Sequence, residues 1–217
     1  LSLGLPPLAG PYLVAAVVCG VTVGLLLVFL RPDPYRESLR LRGDVKPGVQ
    51  RPRIRDGIEH LKNRPRAVLG IGAVAVGHVA MVMVMVMTPV HMAHVDVSLQ
   101  LIGLVISVHV AGMYALSPLV GMAVDRFGRL TVIGAGVVIL LTACAVSGLA
   151  PADDVVTLGI GLFLLGLGWS CTLIAGSTLV TDEVDPPERP AVQALSDLTM
   201  NVAGAVGFDR LTALSES

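Results

Sequence analysis

The chain has 217 residues and a net charge of −1; 54% of its residues are hydrophobic and only 14% are charged. Soluble domains carry about 25% charged residues, so this composition excludes an ordinary soluble domain and indicates a membrane protein. Glycine, at 24 residues, is abundant, as it is in closely packed transmembrane helices. The small net charge carries no information about a partner, because the charges are segregated along the chain.

Apolar segments long enough to cross a bilayer, which takes about 20 residues, recur along the chain. Five are clear, and a sixth is shorter and more polar: 10–30, 67–90, 98–121, 130–150, 156–180 and 190–207. None alternates apolar and polar residues with the period of two that membrane strands show. The remaining possibility is that these segments are α-helices, which satisfy the hydrogen bonds of every backbone group internally. The sequence therefore predicts an all-α, polytopic transmembrane bundle.

Basic residues alternate between the connections of these segments. Most of the 15 Lys and Arg lie in 31–66, and others lie in 122–129 and 181–190. The connections 91–97 and 150–155 have none. Short loops rich in Lys and Arg stay cytoplasmic. We therefore expect a multi-pass protein of the cell membrane with the three basic loops in the cytoplasm.

One basic connection contains a recognisable motif, "VGMAVDRFGRL", at residues 120–130. It resembles the loop signature of the major facilitator superfamily, G-x-x-x-D-R-x-G-R, and matches it at Gly121, Asp125, Arg126, Gly128 and Arg129. Ala123 stands where Leu is common and Leu130 where a basic residue is common, as in the weaker copy of the signature in the second half of such transporters.

The resemblance implies a twelve-helix transporter built from two six-helix halves joined by a long basic loop. The stretch "TDEVDPPERPAVQALSDL" also resembles the family's connection between helices ten and eleven. On that register the chain holds helix six to most of helix eleven. It then divides into the last helix of the first half, the cytoplasmic loop between the halves, about five helices of the second half and an aberrant or truncated tail: 1–30, 31–66, 67–207 and 208–217.

The two ends of the chain lead us to expect a piece of a longer protein. Residue 1 is Leu and not Met. The last stretch, "GAVGFDRLTALSES", turns from apolar to polar within a predicted helix, so we expect a truncation or a frameshift near Phe208.

The signature has a physical interpretation beside the resemblance. Asp125 would meet unpaired N–H groups at the start of the next helix, and Gly121 and Gly128 would allow a tight reversal and close backbone approach. Arg126 and Arg129 would pair with acids or with helix C-termini. The resemblance implies a latch for one transporter conformation. The alternative is a tight turn whose arginines only set topology.

The long basic loop contains "RIRDGIEHLKN", where Ile54, Ile58 and Leu61 recur at i, i+4 and i+7. This spacing favours a short amphipathic helix on the membrane surface. A solvated linker is the alternative.

Ionisable and polar side chains within the apolar segments are candidates for a substrate or proton path. They are His78, His109, Tyr114 and the stripe Gln193, Asp197 and Asn201, which recurs at i, i+4 and i+8. Histidine suits proton transfer near neutral pH. The alternatives are histidines bonded to neighbouring helices and a stripe near the cytoplasmic boundary.

Two apolar stretches invite other interpretations. In "MVMVMVMTPVHMAH" the pairs Met81/Met85 and Met83/Met87 lie on nearly opposite helix faces, so they predict no single metal site, although soft ligands suit copper. In "GIGLFLLGLGWS" the glycines favour close helix packing, and Trp169 is expected to be a packing or cavity residue.

The predicted function is secondary active transport of a small molecule. Proton-coupled export of drugs or metabolites, as by an antiporter, is what the resemblance implies, with this fragment inactive alone. The sequence holds no nucleophile–base constellation, phosphate loop or zinc spacing, so we expect no enzyme and no cofactor. The expected partners are the lipid bilayer, the substrate with protons and the first half of the same transporter, with no nucleic acid. A membrane-embedded metal-binding protein and a non-transporting remnant are the alternatives.

Overall fold

The computed structural model describes residues 9–31, 37, 41, 54–95 and 97–215, apart from the side chains of 9–11, 54–56, 60, 93 and 210–215. Most of the predicted loop 31–66, with Arg36 and Lys46, therefore lies outside the described residues. The chain divides into two compact units, Leu1–Arg51 and Pro52–Ser217.

The described residues are all-α and contain no strand. The first unit holds α1 (Ala9–Phe29). The second unit holds α2 (Ile54–Leu61), α3 (Pro65–Ala93), α4 (Leu99–Tyr114), α5 (Ser117–Phe127), α6 (Arg129–Leu149), α7 (Val155–Glu183) and α8 (Arg189–Ser215).

Five helical stretches among the described residues are long and apolar enough to cross a membrane, which confirms the predicted class. They are Tyr12–Phe29, Pro65–Met92, Leu99–Phe127, Arg129–Leu149 and Val155–Glu183. The sixth predicted segment, now α8, is helical but more polar. It continues as a helix past Phe208 to Ser215.

α7 is the central helix of the second unit, because α3, α4, α5 and α6 all pack against it. Small residues let these helices approach closely. A Cβ added to Gly136 of α6 would lie 2.8 Å from the Cβ of Cys171, and one added to Gly176 of α7 would lie 2.8 Å from the carbonyl oxygen of Gly70 in α3. Such contacts leave no room for a side chain.

The predicted packing role of the glycines in the first half of α7 is confirmed for three of the four. Gly161, Gly166 and Gly168 each face another helix at close range, whereas Gly159 faces open space. In a bilayer these contacts stabilise the bundle by van der Waals packing, because lipid tails are as apolar as the helix surfaces.

The third predicted segment, 98–121, is wrong in extent. α4 ends at Tyr114, and α5 begins at Ser117 with Pro118 in its first turn, where proline is tolerated. The Ser117 hydroxyl donates to the carbonyl oxygen of Met113 at 2.8 Å and so bridges the break. α5 then continues to Phe127, so the predicted loop 122–129 shrinks to Gly128, whose φ of +86° suits only glycine.

The connections lie alternately at two ends of the second unit. At one end, buried Met92, Ile102, Ala150 and Leu158 join the α3–α4 and α6–α7 connections in one apolar cluster. At that end Asp154 caps α7 and accepts hydrogen bonds from the Thr157 amide at 3.0 Å and hydroxyl at 2.6 Å. The predicted basic connections lie at the other end, which we call the inner end.

Candidate functional site

Ion pairs tie the predicted basic connections together at the inner end. Arg129 Nε, at the start of α6, lies 2.7 Å from Asp182 Oδ2 near the end of α7. The Nε–H is not aligned with this oxygen, so the contact is an ion pair and not a regular hydrogen bond. Arg66 Nη1 lies 3.5 Å from Glu183 Oε1. The interpretation that the signature arginines pair with acids is therefore confirmed for Arg129.

The other signature residues behave differently from the prediction. Asp125 is exposed inside α5, and the residue that caps α6 is Gly128, without a side-chain cap. The expectation that Asp125 caps the next helix is wrong, because the helix runs on past it. Gly121 faces open space, so the expected close approach there is also wrong. Arg126 lies in the last turn of α5, with its guanidinium 5.8 Å from the ring centroid of Phe127.

Arg64 joins the end of the long basic loop to the α7–α8 connection. It donates to the backbone carbonyl of Glu183, the last residue of α7, and to Asp185 Oδ2 at 2.8 Å. Glu188 Oε2 lies 4.0 Å from Arg64 Nη2. The hydrogen bond to Asp185 raises the pKa of Arg64, although partial burial opposes it. A cation is favourable at a helix C-terminus, where carbonyl groups lack partners. The sequence feature that could have indicated this contact is the opposite charge of "KNRPR" and "TDEVDPPER".

The helix predicted in the long loop is present as α2, and its expected place on the membrane surface stays a prediction. A Cβ added to Gly57 would lie 3.1 Å from the Ala191 carbonyl oxygen of α8, and Leu61 is buried in a cluster with Val192. Ile58 is exposed. The apolar side of α2 therefore contacts protein in part, and a purely solvated linker is wrong for these residues.

His109 is fully buried between α4 and α7. Its Nδ1–H donates to the Leu162 carbonyl oxygen at 2.8 Å, and its Nε2 has no partner in the described part of the chain. A carbonyl acceptor requires the proton on Nδ1. This geometry fits the alternative in which the histidine bonds a neighbouring helix.

His78 lies in α3 against α8. A Cβ added to Gly204 would meet His78 Cδ2 at 2.9 Å. Its Nδ1 is buried without a hydrogen-bond partner among the described residues.

The predicted polar stripe of α8 is connected along its own helix. Gln193 Nε2 donates to Asp197 Oδ1 at 3.1 Å, and Asn201 Nδ2 donates to the Asp197 carbonyl oxygen at 2.7 Å. Asp197 and Asn201 are exposed. Asp197, Asn201 and Gly204 recur at i, i+4 and i+7, so the stripe continues toward His78.

Tyr114 lies beside Trp169, a contact that the sequence did not indicate. Their ring centroids are 6.3 Å apart with the planes at 77°. Ser117 on α5 lies within 3.2 Å of Ser170 on α7, so the break after Tyr114 faces the middle of α7.

The methionines separate as predicted. Met81 and Met85 pack with Trp169, whereas Met83 and Met87 line an open cavity of about 660 Å³ at the end opposite the ion pairs. His91, His94 and Cys144 also line this cavity. Within the described residues no three His, Cys, Asp or Glu side chains are close enough to hold a metal ion.

These observations define the class: a multi-pass, all-α membrane protein with ion-paired helix ends on one side and polar groups inside its apolar helices. The chain belongs to the Major Facilitator Superfamily, whose family model matches residues 3–208.

Curated relatives agree with this assignment. The chain is 36% identical to the uncharacterized MFS-type transporter YddS of Bacillus subtilis (strain 168) over 95% of its own length and 47% of the relative's. It is 35% identical to YdeG of the same organism, over 95% and 48%. It is 25% identical to the riboflavin transporter RfnT of Brucella anthropi, over 88% and 45%. The chain thus spans about half the length of these relatives. No solved structure gives a significant match.

Proposed function

We propose that this chain is most of the second half of a secondary active transporter that moves a small molecule between its two halves. The observation that carries the proposal is the polar stripe of α8. Asp197 and Asn201 are exposed on one face, and Leu198, Val202 and Val206 are exposed on another. The apolar face suits lipid. A carboxylate facing lipid is costly, so the polar face requires water or protein beside it.

The depth of these groups supports a path through the membrane. At a rise of 1.5 Å per residue, Asp197 lies roughly 12 Å and Asn201 roughly 18 Å along α8 from Arg189. His78 lies at a similar depth, roughly 20 Å along α3. Substrate sites of such transporters lie near the middle of the bilayer, between structural repeats.

The proposed register runs from helix six, which is α1, to helix eleven, which is α8. On this register 31–66 is the cytoplasmic loop between the halves, and 67–207 belongs to the second half. The inner end then faces the cytoplasm in the cell membrane, in agreement with the positive-inside rule. The relatives, about twice as long as the chain, leave room for a first half.

The coupling ion in this proposal is the proton, with Asp197 as the principal carrier. A carboxylic acid on a water-lined path can be neutralised by protonation. His78, beside the same stripe, is the second candidate. His109 is less suited, because it is fully buried and already bonded to Leu162. Export of a drug or metabolite is the proposed direction, and the relative named as a riboflavin transporter supports a small organic substrate.

The ion pair of Arg129 with Asp182 is the proposed latch. It joins the turn between α5 and α6 to the end of α7, and it would hold the inner end in one conformation. Gly128 forms this turn, and Asp125 and Arg126 lie just before it in the last turn of α5.

The test is a transport assay on the complete transporter in vesicles with an imposed pH gradient, using a panel of small organic solutes. We expect Asp197→Asn to abolish the proton-driven component. Asp153→Asn, an exposed acid at the opposite end, is the matched control. Undiminished proton-driven transport in Asp197→Asn would refute the coupling role, and transport of no solute by the complete wild-type protein would refute the transporter.

A further inference from the structure

An aromatic pair lies at mid-membrane depth, where such residues are uncommon. Trp169 lies roughly 20 Å along α7 from its inner end at Glu183, and Tyr114 lies at the break between α4 and α5, roughly 20 Å from the inner end of α5 at Phe127. Tryptophan and tyrosine of membrane proteins concentrate at the headgroup level, where the polar tip reaches water. This pair is therefore not an interfacial belt.

Trp169 carries a polar group without a partner. Its side chain is only 8% exposed, and its Nε1–H has no hydrogen-bond partner among the described residues. Buried indole N–H groups usually find an acceptor, because an unmet donor keeps its desolvation cost. An acceptor supplied by a ligand would remove that cost.

The surroundings of the indole are adaptable and apolar. Met81 and Met113 are buried with Trp169, and Met85 and Leu173 are partly buried against the same cluster. Thioether side chains change rotamer easily and make favourable sulfur–aromatic contacts. Met85 is unbranched and partly buried against this cluster, so its side chain can change rotamer to admit a ligand there.

One face of α3 connects the aromatic pair to the polar stripe of α8. His78, Met81 and Met85 recur at i, i+3 and i+7 and so share a face of α3. His78 contacts Gly204 on the side of the Asp197 stripe, and Met81 packs on Trp169. Tyr114 is 60% exposed, which leaves much of its ring open to a neighbour.

We propose that Tyr114 and Trp169 form a binding site for a planar aromatic molecule that carries a hydrogen-bond acceptor. The ring stacks on Tyr114 and the methionine thioethers, and the acceptor receives the Nε1–H of Trp169. This inference rests on the transport function proposed above and names the class of its substrate. A sugar could accept the hydrogen bond, but most of its hydroxyl groups would lose water without gaining partners among these apolar side chains.

The probe for this site is lumichrome, a planar fluorescent tricycle with carbonyl and ring-nitrogen acceptors, titrated into the 217-residue chain in lipid nanodiscs whose scaffold contains no tryptophan. Trp169 is the only tryptophan of the chain, so quenching of its emission reports this position alone. Anisotropy of the probe gives a second readout, which also serves variants that lack Trp169. Empty nanodiscs measure partition into lipid.

We expect saturable binding that sucrose does not displace. Trp169→Phe keeps a ring and removes the N–H, and it should weaken binding about fivefold to tenfold. Tyr114→Ala, at an exposed position, should weaken it about threefold to tenfold. Tyr12→Ala, which removes a tyrosine from α1, is the matched control and should bind like the parent. Circular dichroism and size-exclusion chromatography establish that each variant folds.

The inference would be overturned if Trp169→Phe and Tyr114→Ala both bound lumichrome as tightly as the parent chain. It would also be overturned if the parent bound no more lumichrome than empty nanodiscs. Two further outcomes distinguish a failure of this inference from a failure of the proposed function. If the complete transporter moves non-aromatic solutes and Trp169→Phe leaves that transport unchanged, the aromatic class is wrong and the transporter stands. If lumichrome binding depends on Trp169 but the complete protein moves no solute, the site stands and transport is wrong.

Discussion

The guanidinium of Arg129 and the carboxylate of Asp182 lie 2.7 Å apart, and they join the first residue of α6 to the last turn of α7. Both side chains are partly exposed, so the pair is worth only about 0.2–1 kcal/mol. That range is too small to hold the fold together, but it can shift the balance between two conformations of the proposed transporter up to about fivefold.

We therefore predict that Arg129→Ala and Asp182→Ala, in the complete transporter, each shift the population open at the inner end up to about fivefold without unfolding the protein. Accessibility of introduced cysteines to a thiol reagent measures this population. Arg126→Ala, which removes a neighbouring arginine outside the ion pair, is the control. The double variant Arg129→Asp/Asp182→Arg should restore the balance. If Arg126→Ala and Arg129→Ala had equal effects, the latch would be refuted, and the signature arginines would only set the membrane topology.

The seam between α6 and α7 gives a stability prediction with a control on the same helix. Gly136→Ala places a Cβ 2.8 Å from Cys171 Cβ, and overpacking of this kind costs about 1–3 kcal/mol. Gly134 faces open space, so Gly134→Ala should be neutral or stabilise the helix by up to about 1 kcal/mol. Thermal unfolding in detergent measures the difference. If both variants melted at the same temperature, α6 and α7 would not be packed as described.

Asp154 gives the fold a pH dependence at acidic pH. Hydrogen bonds from the Thr157 hydroxyl and then from its amide lower the pKa of Asp154 below its ordinary value of 3.8. The cap therefore stabilises the folded state fully above 3.8 and loses this contribution as the pH falls through the lower folded pKa. The melting temperature of Asp154→Ala should lie below that of the parent, by a margin that is constant above about pH 5 and narrows at more acidic pH.

The neighbouring Asp153 provides the comparison for this prediction, because it is exposed. Asp153→Ala should melt like the parent throughout the range. Asp154→Asn, which retains an acceptor without a titratable group, should remove the acidic pH dependence. A pH-independent margin for Asp154→Ala would contradict the capping account.

Arg64 should hold α2 on the bundle. Its bonds to Glu183 and Asp185 place the start of α3 against the end of α7, next to the cluster that buries Leu61. We expect Arg64→Ala to speed amide hydrogen exchange in residues 57–61, measured by mass spectrometry. Arg66→Ala removes a longer, more exposed contact and should change exchange less. Unchanged exchange in Arg64→Ala would show that apolar packing alone holds α2.

Much of the fold followed from particular sequence features. The ends of α6 agree closely with the predicted segment 130–150, because an apolar run bounded by charge reports the bilayer thickness. The alternation of basic connections matched the two ends of the second unit. The predicted loop 122–129 was wrong, since "AVDRF" is compatible with a helix and charge alone does not end one. Only Gly128, with its positive φ, marks the turn.

The sequence predicted single residues of the candidate site but not the contacts between them across helices. Gln193, Asp197 and Asn201 were found because their spacing places them on one helix face. The proximity of Tyr114 to Trp169, or of Arg64 to Glu183, leaves no local pattern, because each pair joins different helices. His109 looked like a relay candidate, whereas its Nδ1–H is engaged by the Leu162 carbonyl oxygen.

The sequence by itself determined the class, the number and approximate bounds of the spanning helices, the alternation of their connections and the signature, since these depend on composition and spacing along one chain. Only the tertiary structure decided which faces meet: Gly136 on Cys171, Arg129 on Asp182 and Tyr114 on Trp169. The physical reason is that lipid and protein interior are almost equally apolar, so hydrophobic periodicity says little about which side of a membrane helix is buried. Close packing of small residues makes that choice, and it depends on the partner helix as much as on the residue itself.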